Sequence, residues 1–100
     1  MRPARLRRRM VDTKTAVHVA DYAADEDYTE NREPAFVSAV ELGGVRTYLT
    51  VPMLKENDLV GSLSLYRQEV RPFTGKQIAL VQNFAAQAVI AIGLLLQGFT

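Results

Sequence analysis

Few side chains in this chain could carry covalent chemistry. His18 is the sole histidine and lies inside "AVHVAD" with no partner motif. A histidine on a strand surface is the expectation there, rather than a catalyst or haem ligand. Asp21, Asp25, Glu26, Asp27, Glu30 and Glu33 are close enough together to attract a cation. They lack the spaced ligands and fixed glycine of an EF-hand loop, so they read as a solvated acidic loop. Thr47, Ser62 and Ser64 are hydroxyls with no visible base to activate them. There is no cysteine, which removes disulfides, thiolate zinc sites and thiol catalysis together. Gly43-Gly44 follows a helical pattern instead of opening one, so it is not a phosphate-cradling loop. The expectation is therefore a protein that is not an enzyme and holds no metal.

Composition narrows the remaining classes. One hundred residues suffice for one small domain with a thin core. Apolar residues make up 48% of the chain, which excludes a disordered polymer. The net charge is +1. Arg2, Arg5, Arg7, Arg8 and Arg9 crowd the start, but no aromatic residue interleaves them, so no nucleic-acid partner is expected. They lead into "MVDTKTAVHVA", too polar for the core of a signal peptide. The run "AAQAVIAIGLLL" is shorter than the roughly 20 apolar residues that span a bilayer. No membrane partner is expected, and a cytoplasmic location is.

The elements that must position any site follow from periodicity. Residues 3–13 can form a short helix with Leu6, Met10 and Val11 on a weak apolar side, at a solvated or frayed terminus. "AVHVAD" predicts a strand with Val17 and Val19 on one face. Pro34 can open a helix carrying Phe36, Val37, Val40 and Leu42, which Gly43-Gly44 stops. "VRTYLTVPMLKENDLVGSLSLYR" predicts an antiparallel hairpin turning at residues 55–58. Its first strand places Val45, Thr47, Leu49, Val51 and Met53 on one face and Arg46, Tyr48, Thr50 and Pro52 on the other. Its second strand places Leu59, Gly61, Leu63 and Leu65 on one face and Val60, Ser62, Ser64 and Tyr66 on the other. Neither face is plainly hydrophilic, so both should be covered. Thr74 and Gln77 form a capping box, and Phe73 and Ile78 a hydrophobic staple, at the start of a long final helix. On it Val81, Ala85, Ala88, Ile92 and Leu95 recur at coiled-coil-like spacing, the expected seam of a homodimer. The order predicts an α+β fold with an antiparallel sheet.

These residues resemble a known family. "ELGGVRTYLTVPMLKENDLVGSLSLYRQEVRPFTGKQIALVQNFAAQAVIAI" is similar to the C-terminal half of a GAF domain. The resemblance is carried by Arg46-Thr47, Leu49, Val51-Pro52, Val60-Gly61, Phe73-Thr74 and the capped helix. "AVHVADYAADEDY" resembles the preceding strand and acidic loop, and coverage is about residues 10–92. The resemblance implies a GAF-like (PAS/profilin-like) antiparallel sheet flanked by helices, with a small-molecule pocket on one face. It points to GAF modules of bacterial sensor histidine kinases and nucleotide cyclases, and hence to a small-molecule-sensing regulatory domain. Against that pattern the chain reads as truncated: residues 1–9 form a basic N-terminal segment, and 10–97 a partial domain with a long C-terminal helix. Reductase and bilin-carrying relatives act through cysteines, so neither chemistry is open here. The Asn-Lys-Phe-Asp-Glu signature of cyclic-nucleotide-binding relatives is absent. No cofactor is expected beyond an unidentified small molecule held without a covalent bond.

The pocket that the resemblance implies would be lined by Asp21, Tyr22, Tyr28, Phe36, Val40, Thr47, Leu49 and Tyr66. Tyr22 and Tyr28 would supply ring area and hydroxyls near the roof, and Thr47 a hydroxyl on the floor. Which face of the first hairpin strand turns to the pocket stays open, and Thr47 and Leu49 stand or fall together on it. The alternative function is a pocketless interaction module that dimerises.

Overall fold

The computed structural model describes the backbone of residues 5–98 and the side chains of residues 6–95. Residues 1–4 of the basic segment and the last two residues lie outside the described part. Helix α1 spans Arg5–Thr13, β1 Val17–Val19, a 3-10 turn Tyr22–Ala24, α2 Glu26–Thr29 and α3 Pro34–Glu41. Strands β2 (Thr47–Lys55) and β3 (Asp58–Arg67) and the long helix α4 (Gly75–Gly98) complete the α+β fold. The sheet is antiparallel in the order β1-β2-β3.

The hairpin turns on Glu56-Asn57, whose φ angles of 50° and 71° are both positive. Two left-handed residues give the turn a twist that matches its strands, and asparagine tolerates that conformation well. A bulge between Met53 and Leu54 then interrupts the alternation. The sequence expectation put Leu59 with Leu63 and Val60 with Ser62. Beyond the bulge the faces exchange: Leu59 packs against the cluster built by Leu6, Met10, Val17 and Phe36, while Val60 lines a hollow beside Val89 and Ile92 of α4.

Each face of the sheet has its own core. On one, Leu49, Val51 and Met53 pack on Ala85 of α4, with Leu63, Phe73, Ile78, Val81, Ala88 and Val89 around them. On the other, Val17 packs with Leu6 and Met10 of α1 and with Phe36 of α3. The basic start is thus docked by its apolar side, since Leu6 and Met10 are both buried. This corrects the frayed terminus expected there, because apolar residues four apart share a helix face that the arginines do not interrupt. Leu42, by contrast, is 87% exposed and no part of the helix's apolar face.

The capping box forms as expected. The Thr74 amide donates to Gln77 Oε1 at 2.9 Å, and the Gln77 amide donates to Thr74 Oγ1 at 3.1 Å. Phe73 and Ile78 meet in the same core. The helix that follows is long and apolar enough over Gly75–Leu95 to cross a membrane, judged by length and composition alone. One side of it lies on β2 and β3. Its other side leaves Leu80, Phe84, Ile90, Leu94 and Leu95 more than half exposed.

Candidate functional site

A groove opens on the sheet face turned away from α4. Arg7 and Met10 of α1, Tyr48 and Thr50 of β2, and Ser62 and Ser64 of β3 line about 260 Å³ of it. These strand residues come together because the register sets Tyr48 beside Tyr66, Thr50 beside Ser64 and Pro52 beside Ser62. Even-numbered positions therefore share the groove face. Their hydroxyls form a chain: Tyr48 Oη donates to Ser64 Oγ at 3.1 Å, and Ser64 Oγ donates to Thr50 Oγ1 at 3.0 Å. Thr50 Oγ1 then donates to Met10 Sδ at 3.4 Å. A thioether is a weak acceptor, so a ligand oxygen would be a better end for this chain than Met10. The floor is thus a row of rotatable hydroxyls with one guanidinium at its rim. That chemistry suits binding of a polar ligand and offers no nucleophile–base pair.

The roof is held by local capping. Asp21 caps the 3-10 turn by accepting from the Ala23 amide at 3.0 Å, and Asp25 caps α2 by accepting from the Asp27 amide at 3.0 Å. Buried Asp27 accepts from Asn31 Nδ2 at 2.9 Å. Three of the six acids in this stretch are thus engaged in local hydrogen bonds that shape its turns. Among the described residues no group of three or more His, Cys, Asp or Glu side chains could hold a metal ion. Tyr22 stacks on Phe36 at 3.7 Å between ring centroids and leans on Tyr48 at 5.2 Å. An aromatic bridge thus joins roof to floor.

Of the residues named from sequence, the structure brings Tyr22, Phe36 and Tyr66 to this side of the sheet. Tyr22 and Phe36 meet the floor through Tyr48, and Tyr66 stands beside Tyr48 on β3. Val40 and Tyr28 pack behind them on the α1–α3 core, and Tyr28 Oη donates to Glu41 Oε2 at 3.1 Å. Thr47 and Leu49 turn the other way, into the α4 side, and are fully buried. The Thr47 hydroxyl lies 2.8 Å from the Ala20 carbonyl and 3.1 Å from that of Glu69, and it accepts from the Arg71 amide at 2.9 Å. The groove residues that sequence reasoning passed over are Arg7, Met10, Tyr48, Thr50, Ser62 and Ser64. Their signal was the alternation of tyrosines and small hydroxyls opposite the aliphatic face. His18 is an acceptor for the Phe73 amide at 3.1 Å and packs edge-on against that ring.

Asp21 is committed to Arg46, whose Nε and Nη2 donate to its two carboxylate oxygens at 3.0 and 3.1 Å. That hydrogen-bonded guanidinium holds the Asp21 carboxyl below its ordinary pKa; partial burial opposes the shift and the Ala23 amide reinforces it. A carboxyl depressed in the folded state contributes stability above its unfolded pKa of about 3.9. The contribution disappears as pH falls through the folded value. Asp21→Asn is therefore expected to melt below the parent at pH 7, with the gap closing below about pH 4. A gap that persists unchanged into acid would contradict the pairing.

A short antiparallel sheet thus lies between a long capped helix and a layer of shorter helices, with a hydroxyl-floored groove beside α1 on that second face. The chain belongs to the GAF domain family, whose model matches residues 2–92. GAF domains are regulatory modules that bind small molecules or relay signals. Comparison with curated proteins gives no match.

Proposed function

We propose that this chain is the small-molecule-sensing module of a bacterial signal-transduction protein, cytoplasmic and coupled to a histidine kinase or nucleotide cyclase. The observation that carries the reading is the hydroxyl chain Tyr48–Ser64–Thr50 on the floor of the groove, in a chain of the GAF family. The coupling follows from the resemblance of residues 41–92 to sensor modules of that kind. The ligand would be held without a covalent bond, because there is no cysteine to attach it. Its grip would be felt by α1 through Met10 and by the roof through Tyr22. Signalling then requires that the ligand favour one arrangement of these elements over another.

Thermal melts of the full chain across a small-molecule panel, cyclic nucleotides included, test this. A compound at 100 times its Kd stabilises by about 2.7 kcal/mol. For a chain of this size that is a rise in Tm of roughly 10 to 20 °C. Thr50→Val and Ser64→Ala are expected to weaken that response at least about tenfold in affinity. A panel that leaves Tm unmoved would favour the second reading.

That second reading, a self-associating interaction module, is favoured by the apolar surface left open on α4. The expected seam does not lie free as a whole, because Ala85 is buried on β2 and Val81 and Ala88 pack beside it. Ile92 and Leu95 remain exposed, and Leu80 and Phe84 join them. A homodimer through α4 would use this second set.

A further inference from the structure

We propose that β3 pairs edge to edge with β3 of a second copy of this chain, joining two three-stranded sheets into one six-stranded sheet about a two-fold axis. The inference rests on the self-association reading and supplies its geometry.

Among the described residues strand β3 is a free edge of the sheet and is ten residues long, whereas β1 at the opposite edge has three. One long edge per chain makes pairing close on itself as a dimer instead of propagating into a fibre. The direction of the free backbone groups follows from Pro52. It sits on the central strand, past Thr50, where β1 has ended. Its missing N–H leaves no gap in the ladder if even-numbered residues of β2 point toward β1. Odd-numbered residues of β2 then bond β3; on β3 itself the odd-numbered Arg67 turns its carbonyl inward, accepting from the Arg46 amide just ahead of β2 at 2.9 Å. On β3 this leaves Ser62, Ser64 and Tyr66 with their N–H and C=O groups aimed outward.

Soluble proteins blunt such an edge with lysine, proline or inward charge. From Leu59 to Tyr66 this strand has none of these. The charges it does carry are Asp58 at one end and Arg67 at the other, so antiparallel copies bring opposite charges together. Apolar surface flanks the edge. Leu65 lies on the α4 side of β3 and is 38% exposed. Gln82 and Ala86 of α4 face the β1 side of the sheet. Leu80 and Phe84, on the opposite flank of the helix, therefore stand over the free edge.

The surface area supports an occupant of this size. The chain exposes 6896 Å². A compact monomer of 11.1 kDa would expose about 5,700 Å². The excess of roughly 1,200 Å² exceeds the 800 Å² or so that each partner of a standard interface buries. A register with Leu63 opposite Leu63 sets Ser62 across from Ser64 as the hydrogen-bonded pair. It makes the two Leu63 residues a non-hydrogen-bonded pair, with Cα atoms about 4.5 Å apart, within disulfide reach.

The chain contains no cysteine, so a single introduced thiol reports the axis without interference. Leu63→Cys is expected to form a disulfide-linked dimer in air, and Ser38→Cys, on exposed α3, is not. Ser62→Pro removes an outward N–H without touching the β2 ladder, so it should weaken the dimer at least about tenfold in sedimentation while the far-ultraviolet spectrum holds. A monomeric parent chain at micromolar concentration would overturn both this geometry and self-association. A dimeric parent in which Leu63→Cys fails to cross-link, and which Phe84→Glu alone dissociates, would overturn the β3 pairing and leave association through α4 standing. Should Ser62→Pro fail to fold, the two cysteine variants decide the matter.

Discussion

Leu49→Ala is expected to cost about 3–5 kcal/mol and to leave the chain close to unfolded at 37 °C. Leu49 is fully buried on β2, the central strand of the sheet, among Val51, Met53 and Ala85. Removing three carbons there forfeits their transfer energy and leaves a cavity that strands on both sides keep from collapsing, a loss of about 2–5 kcal/mol in general. A domain of this length has about 5–15 kcal/mol in hand, and a chain with two thin cores belongs toward the low end. In a urea titration the variant should show a much earlier midpoint with a similar slope. The control is Leu42→Ala, at an 87% exposed position, which should move the midpoint by no more than about 0.5 kcal/mol. Equal effects from the two leucines would contradict the assignment of the α4 core.

Thr47→Val is the second large effect, although the two side chains are nearly the same shape. The Thr47 hydroxyl sits among the Ala20 carbonyl, the Glu69 carbonyl and the Arg71 amide. Its one proton serves the two carbonyls and its lone pairs serve the amide. A methyl in its place strands partly buried backbone groups, each costing about 1–3 kcal/mol. We expect a net loss of about 2–3 kcal/mol and a fall in Tm of roughly 10 to 20 °C. Thr47→Ser keeps the hydroxyl and should recover most of that. If serine and valine destabilise equally, the methyl packing and not the hydrogen bonds matters at this position.

The hairpin, the capped helix and the helix opened by Pro34 were legible because each is specified locally. Thr74 and Gln77 are three residues apart, and strand alternation needs no distant partner. The candidate groove was harder to read for a reason of the same kind. Alternation places Thr47 and Leu49 together but does not say which face meets α4, since both faces carry apolar residues. That is settled by Ala85, 36 residues after Leu49 along the chain. The bulge at Met53/Leu54 is likewise invisible to a period of two, yet it exchanges Leu59 and Val60. On α4, Val81, Ala85 and Ala88 pack on the sheet, since their spacing suits a sheet as well as a second helix. Arg7 and Met10 escaped because a cluster of arginines masks a helix with one apolar side.

The Thr47 junction also bears on how the chain reaches its fold. Its three partners lie more than 20 positions away in sequence, on both sides of it. The β2–β3 hairpin, closed by a two-residue turn, can form early, because the loop it closes is short. The hydroxyl can find Ala20, Glu69 and Arg71 together only after β1 has docked and the segment leaving β3 has folded back. A contact completed after the barrier speeds escape from the native state when it is lost and scarcely alters the rate of entry. In stopped-flow experiments Thr47→Val should therefore steepen no limb but lift the unfolding arm, while the refolding arm overlays the parent. The threonine acts as a latch on a finished structure, and its removal shortens the lifetime of the fold more than it hinders its assembly.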